Sequence, residues 1–346
     1  MEKQAKKKIL LIRTSSLGDV IFNIPLANRL KDNGYEVSWL VGDKGVQVIQ
    51  NNSCVDECIF VPLKKWKKHN IFKIILNYIK LIQYIRSKRF DIAIDTQGLL
   101  FKSGIFLLFS GAKRRIISSK AREFSFLCAN EIINNNYIEE EKNVVKKYLK
   151  YADYLNIDET NLKYTLPIPS KELQKKIDII LNQLDDSKPI VVICPATTWI
   201  GKHWDRDNWK NLIAKIETQY SLIYTGTKND IDLIEYISCG KGLNLAGKTN
   251  LLELAELFRR AALVISLDSG STHLARATNI PKIVSIFCCT PSELYAPLGS
   301  NEKYISVASQ TCKPCHKRKC KLKAGKYKCT LSPSVEEVYQ VIQKML

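Results

Sequence analysis

At 346 residues and 45% hydrophobic composition, the chain has material for two domains and a large buried core. No apolar run reaches the about 18–20 residues that a bilayer-spanning helix requires. The 11 cysteines are scattered apart from one C-terminal group, which argues against a secreted disulfide framework. The formal charge of +19 calls for an anionic partner, whether nucleic acid, phosphorylated small molecules or a membrane surface.

The start, "MEKQAKKKILLI", is basic and then apolar, and its apolar run is too short for a secretory signal. It reads as the first strand of a cytosolic protein. Short apolar runs then alternate with amphipathic stretches, the pattern of βα units around parallel sheets. In the first half, strands are expected near 8–13, 36–41, 57–61, 91–95 and 114–117, and helices near 20–32, 43–50, 71–87, 100–110 and 141–155. A second series has strands near 190–194, 221–225, 243–245, 263–267 and 282–287, with helices near 207–218, 229–238, 251–260 and 271–278. A final helix over 334–345 follows "LSPS", a good cap and first turn.

Between the two series, "NIDETNLKYTLPIPSKELQKK" is polar, carries two prolines and reads as the linker. The division expected is 1–168 and 169–346, the second part including a Cys-rich segment, 312–329, and the last helix. The fold class is α/β, two doubly wound parallel-sheet halves. Ligands of such sheets bind at the carboxyl ends of the strands, so a motif counts when it sits just after a strand.

Several do. Thr14, Ser15, Ser16, Leu17, Gly18 and Asp19 lie between the first strand and the first helix. Backbone N–H groups at a helix start attract anions, and the dipole there favours an ionised carboxylate. Asp19 can therefore serve as a general base on a hydroxyl or simply cap the helix, and spacing leaves both open. In the second series, Thr197, Thr198 and Lys202 follow one strand and can hold a phosphate. Asp268, Ser269 and Gly270 follow another, with His273 one helical turn further on. Asp230, in "YTGTKND", is placed to meet a ribose or sugar hydroxyl. Ordinary polar loops and a packed histidine are the plain alternatives. Together the three loops look like a site for a nucleotide diphosphate.

These residues also carry a resemblance. "IRTSSLGDV" with "PLANRL", "KKWKK", "DIAIDTQGLLFKSG", "AREFSFL", "TTWIGKHW" and "SLDSGSTHLA" run in order over residues 8 to about 300 and resemble the glycosyltransferase family nine heptosyltransferases. The resemblance implies the GT-B fold, two Rossmann-like domains facing across a cleft, an N-terminal one for the acceptor and a C-terminal one for the donor. It implies inverting transfer of a heptose from ADP-heptose to the Kdo region of lipid A–core, in lipopolysaccharide inner-core synthesis, without a catalytic metal or other cofactor. Asp19 then matches the general base and Lys202 the lysine that stabilises the departing diphosphate. Asp268, Ser269, Gly270 and His273 match the pyrophosphate loop, with Thr197, Thr198 and Asp230 also on the donor. Ser15, Ser16, Gly18, Gln97 and Arg122 fall to the acceptor.

"KKWKK" places Lys64, Lys65, Lys67 and Lys68 in a loop around Trp66, suited to an anionic acceptor and to peripheral contact with the cytosolic face of the inner membrane. Each such lysine contributes ~1 kcal/mol near an anionic surface. The helix that follows reads equally as a solvated face beside a buried one. "CKPCHKRKCKLKAGKYKC" spaces Cys312, Cys315, Cys320 and Cys329 as C-x2-C-x4-C-x8-C, which suits structural zinc or iron, with His316 as a spare ligand. Neighbouring lysines are expected to lower the thiol pKa values. Free thiols are the alternative.

Within the family, addition of a later heptose or heptosylation of a protein stays open. From another class, the alternative is a non-catalytic nucleotide- or nucleic-acid-binding α/β protein. No RRM, KH or helix-turn-helix signature supports nucleic acid.

Overall fold

The computed structural model describes residues 6–159, 161–299, 304–312 and 314–346. Thr160 of the expected linker and Lys313 beside the cysteines lie outside the described residues, as does the very start of the chain. The chain divides into two compact units at Ile168–Pro169.

The first unit is one parallel sheet of β1 (Lys8–Ile12), β2 (Glu36–Gly42), β3 (Glu57–Val61), β4 (Ile92–Asp95), β5 (Arg114–Ser118) and β6 (Glu131–Ile133), ordered β3-β2-β1-β4-β5-β6. The central strand, KILLI, is fully buried beyond its first residue because helices cover both faces of such a sheet. Leu10, Ile12, Leu40, Val61 and Phe106 form one core cluster. The order reverses between β1 and β4, so the loops leaving these two strands diverge and open a crevice at their carboxyl ends. Helices Leu17–Phe22 and Ile24–Asp32 follow β1, where one helix over 20–32 is expected; Asn23 breaks it, ahead of Pro25 in the first turn of the second piece.

The second unit repeats the plan. Strands β7 (Ile190–Cys194), β8 (Ser221–Tyr224), β9 (Leu243–Asn244), β10 (Leu263–Leu267), β11 (Lys282–Phe287) and β12 (Tyr304–Ala308) are ordered β12-β11-β10-β7-β8-β9, with the reversal between β7 and β10. Its core holds Trp204 and Trp209, edge to face at 5.1 Å, and the last helix, Val335–Met345, adds Val338, Ile342 and Met345.

Four expectations change. The edge strands β6 and β12 are not anticipated, being three residues long and half-buried throughout, respectively. "SKELQKK" is not linker: Ser170 caps a helix, Lys171–Leu181, whose Ile177 is fully buried. The expected helix over 43–50 is a single turn, Val46–Ile49. "LKKW" is not an open loop but a helical turn, Leu63–Trp66, and Trp66 is buried against Tyr78 at 5.1 Å between ring centroids. It anchors that turn to the core rather than to an interface. No helix among the described residues is long and apolar enough to cross a membrane.

One glycine ties the sheet to the opening turn. A Cβ on Gly42, at the end of β2, would meet the carbonyl oxygen of Thr14 at 2.5 Å. The bare Cα lets the two strand ends approach.

Candidate active site

At the β1 edge, Arg13 and Thr14 are buried and Asp19 is half-buried. The Asp19 carboxylate uses both oxygens. Oδ2 accepts from the Ser16 backbone N–H at 3.1 Å and hydroxyl at 2.8 Å, closing a capping box. Oδ1 meets the Arg13 guanidinium at 2.7 Å and the Tyr148 hydroxyl at 3.4 Å. Burial pushes this carboxyl upward, yet the charge of Arg13 and the Ser16 hydrogen bonds outweigh it and hold Asp19 below the usual carboxylate range. The group is thus a cap and a charged acceptor at once. Arg13 is itself fixed by donating to the carbonyl of Thr96, and its guanidinium lies 5.3 Å from the Tyr148 ring centroid.

Gln97 comes from the loop after β4 and shapes the same turn. Its Oε1 accepts from Thr14 N at 2.7 Å, Thr14 Oγ1 at 2.8 Å and Ser15 N at 3.2 Å. Its Nε2 has no protein partner among the described residues. Beside it opens a cavity of about 210 Å³, lined in part by Gln97, Ser118, Lys120, Asn135, Lys147 and Tyr148. Glu139 pairs with Lys120 at 2.8 Å and Lys147 at 2.6 Å. Asp95, fully buried, accepts from the backbone N–H groups of Gln97 and Gly98 and so holds that loop; burial raises its pKa. The exposed Arg122 donates its backbone N–H to Gly98 at 2.9 Å, and Lys64, Lys65, Lys67 and Lys68 are exposed on and beside the Leu63–Trp66 turn.

In the second unit, Lys202 ends a short 3-10 turn after β7, and Asp268 directly follows β10, the two strands flanking the reversal. Lys202 Nζ lies 2.7 Å from Asp268 Oδ2, which also accepts from the Thr290 hydroxyl at 2.7 Å. His273 Nε2 is 3.8 Å from Asp268 Oδ1. Desolvation opposes the Asp268 charge, but His273 and Lys202 overcome it and hold the group far below the usual range. Asp268 is therefore committed to orienting a lysine and a histidine rather than free to meet an anionic ligand. Ser269 caps helix Gly270–Thr278, accepting from Ser271 N at 3.3 Å. Thr197 offers its carbonyl to His203 Nε2 at 2.8 Å, while Thr198 is exposed. Asp230 spends Oδ2 on a capping box with Thr227, at 2.7 Å to both N and Oγ1.

The cysteine segment packs on the Lys202 turn. Cys312, Cys315, Cys320 and Cys329 line one cavity of about 240 Å³, joined by Cys289 and Gly201. Among the described residues, however, no three Cys, His, Asp or Glu side chains gather closely enough to hold a metal ion. The lysines do not set the thiols alone: burial raises the pKa of Cys329, and backbone N–H groups of Tyr327 and Leu322 lower that of Cys320. His316 is not a spare ligand at the cavity. Its backbone N–H donates to Cys289 O at 2.8 Å, and its ring stacks on Trp199 at 5.7 Å and meets the Tyr295 ring at 5.4 Å. Lys202 Nζ lies over the Trp199 ring at 4.8 Å and 5.8 Å from that of Tyr295.

Arg13, Tyr148, Lys120, Asn135, Lys147, Trp199 and Tyr295 thus join groups that sequence reading does not single out. Arg13 alone had a local signal, as a cation directly after a buried strand.

The family described as Glycosyltransferase family 9 (heptosyltransferase) matches residues 78–326. The chain belongs to this family. The match takes in Lys202, Asp268 and His273 and begins after the Asp19 turn. Lipopolysaccharide core heptosyltransferase OpsX of Haemophilus influenzae is 24% identical over 88% of this chain and 85% of its own length. Among solved structures, a family 9 glycosyl transferase from Veillonella parvula superposes with a TM-score of 0.82 at 18% identity, covering 99% of this chain and 98% of that one. The E. coli heptosyltransferase WaaC with ADP gives a TM-score of 0.74 at 20% identity, over 98% and 100%. The fold class is GT-B, built from two Rossmann-like units.

The Lys202–Asp268 pair generates a stability prediction. Asp268→Asn leaves a largely buried ammonium without its counter-charge and is expected to cost about 3–5 kcal/mol, read as a lower urea midpoint with unchanged slope. A midpoint equal to that of the parent contradicts the pairing.

Proposed function

We propose that the chain is an inverting glycosyltransferase that moves a heptose from ADP-heptose to the Kdo region of lipid A–core, acting from the cytosolic face of the inner membrane. Family membership and the names of its relatives support the chemistry. The observation that carries the reading is Asp19, a carboxylate held charged at the switch point of the first sheet.

In this reading the acceptor hydroxyl attacks the anomeric carbon from the face opposite the diphosphate. Its proton passes to Asp19 as the new C–O bond forms and the bond to the ADP oxygen breaks. Lys202, His273 and the N–H groups opening helix Gly270–Thr278 offset the charge gathering on the leaving diphosphate. Lys202 supplies a fixed cation there. Asp268 positions Lys202 and His273. Thr197, Thr198, Ser269 and the free oxygen of Asp230 fall to the rest of the donor.

On the acceptor side we assign Ser15, Ser16, Gly18, Gln97 and Arg122, together with Lys120, Asn135 and Lys147 of the adjoining cavity. Lys64, Lys65, Lys67 and Lys68 meet the acceptor's carboxylate and phosphate groups, which ammonium groups suit. Cys312, Cys315, Cys320 and Cys329 have the donor chemistry for structural zinc or iron, although their placement does not gather three around one ion. The proposal gives that metal only the task of bracing the segment behind Lys202.

Asp19→Asn tests the central assignment. Turnover with ADP-heptose is expected to fall about 10²–10⁴-fold, with ADP affinity by calorimetry unchanged; parental turnover in the variant rejects the role. Elemental analysis of freshly purified protein tests the metal. One zinc or iron per chain, lost on Cys315→Ser, is expected, and a metal-free preparation with unchanged stability contradicts it.

A further inference from the structure

Helix Ile71–Ser87 packs one side on the first unit's core and leaves the other exposed. Ile85 is fully buried, and Tyr78, Leu81 and Ile82 pack against the cluster that contains Trp66 and Phe106. The opposite side of an ordinary surface helix is polar. Here it carries Phe72, 80% exposed, then Leu76 and Ile79, both exposed, while Ile71, 62% exposed, and Ile75 are exposed on the flank nearer the core side. Positions 72, 76 and 79 recur at helical spacing, so they form one stripe. Gln83 and Arg86 continue it as polar residues, and the apolar part ends after about 13 Å of helix.

Neighbouring loops extend the patch. The Tyr78 hydroxyl donates to the carbonyl of Phe101 at 2.8 Å, which sets Phe101, 65% exposed, beside the helix. Leu100 and Phe126 pack into the same core cluster, while Phe124 and Leu127 stand 73% and 70% exposed. A stripe of large exposed apolar side chains, with Phe101 beside its helix, marks a contact rather than chance exposure.

Charge selects the partner. Residues 62–90 hold nine Lys and Arg and no Asp or Glu, and 96–122 likewise contain no acidic residue. Lys64, Lys65, Lys67, Lys68, Lys73, Lys80 and Lys102 are all exposed. An apolar stripe a few turns long with a fringe of lysines is the composition of a helix lying in a bilayer interface: rings and branched chains enter the acyl boundary, and ammonium groups stay among headgroups.

We propose that the helix face formed by Phe72, Leu76 and Ile79, with Phe101 beside it, docks the chain on an anionic phospholipid bilayer. The proposal rests on the acceptor reading above in one respect, since it brings a membrane-embedded acceptor to the exposed lysines of the Leu63–Trp66 turn. Docking itself involves no group assigned to catalysis.

The test uses the full chain and sedimentation with vesicles of phosphatidylcholine alone or mixed with phosphatidylglycerol. The parent is expected to bind the mixed vesicles, less so at high salt, and to ignore the neutral ones. Phe72→Ser with Leu76→Ser, and separately Lys73→Gln with Lys80→Gln, are each expected to weaken binding about tenfold or more. Both variants should keep the parental rate on a water-soluble acceptor and show a raised KM for the same acceptor embedded in vesicles, which distinguishes docking from a folding defect. Undiminished vesicle binding by both variants overturns the proposal. So does a dimer, seen by analytical ultracentrifugation, that the serine pair dissolves while vesicle binding is absent. Loss of transfer to the soluble acceptor by the parent would instead overturn the transferase reading and leave the docking surface standing.

Discussion

The ion pair between Arg13 and Asp19 is the constraint on which the chemistry proposed for the first unit depends. The half-buried Asp19 carboxyl, in the helix that follows β1, loses hydration, which pushes its pKa upward. The guanidinium at 2.7 Å reverses that outcome. Gln97 and Asp95 hold the loop that flanks the turn, and Gly42 allows the Thr14 carbonyl to come close. The arrangement keeps Asp19 charged and aimed, at the expense of intrinsic basicity. It suits a base that takes its proton late, as the attacking oxygen loses its own basicity in the forming bond.

The second unit applies the same device in mirror sign. There a buried carboxylate, Asp268, keeps a lysine and a histidine in place beside the reversal of the sheet. In both units the candidate site groups occur where the strand order switches. The architecture itself supplies the crevice, and the loops need only line it. The cysteine segment extends this logic. Cys329 Sγ lies 3.9 Å from the Gly201 carbonyl, the backbone N–H of Asp205 donates to Thr330 at 2.8 Å, and His316 stacks on the Trp199 that underlies Lys202. The segment whose cysteine spacing suits a metal is also, in the fold, a buttress of the lysine turn.

Much of this was legible because parallel strands buried on both faces leave continuous apolar runs, and glycine and hydroxyl residues mark the turns after them. That logic found ten of the twelve strands among the described residues, all but the edge strands β6 and β12, and put Asp19, Lys202 and Asp268 after strands. It failed where burial is partial. β6 is three residues long, and the helix capped by Ser170 is hidden among polar residues, with its apolar positions spaced along one face. It also failed where meaning is tertiary. Nothing local says that Tyr148 reaches Asp19 across 129 positions, that Gln97 serves a turn 83 residues earlier, or that Trp66 points inward. The helix at 71–87 was legible in its bounds but not in its outer face, because the same residues suit a core or an interface until packing chooses which side is covered.

The pH dependence of kcat/KM, which reports the free enzyme, tests the central ion pair most directly. A group whose pKa is depressed is active above that pKa and inactivated as pH falls through it, so the parental acid limb should lie below the ordinary carboxylate range. Arg13→Met removes the cation and leaves the burial, and the account predicts that the limb moves to higher pH. An acid limb at the same pH in both proteins, with the variant folded, would contradict it.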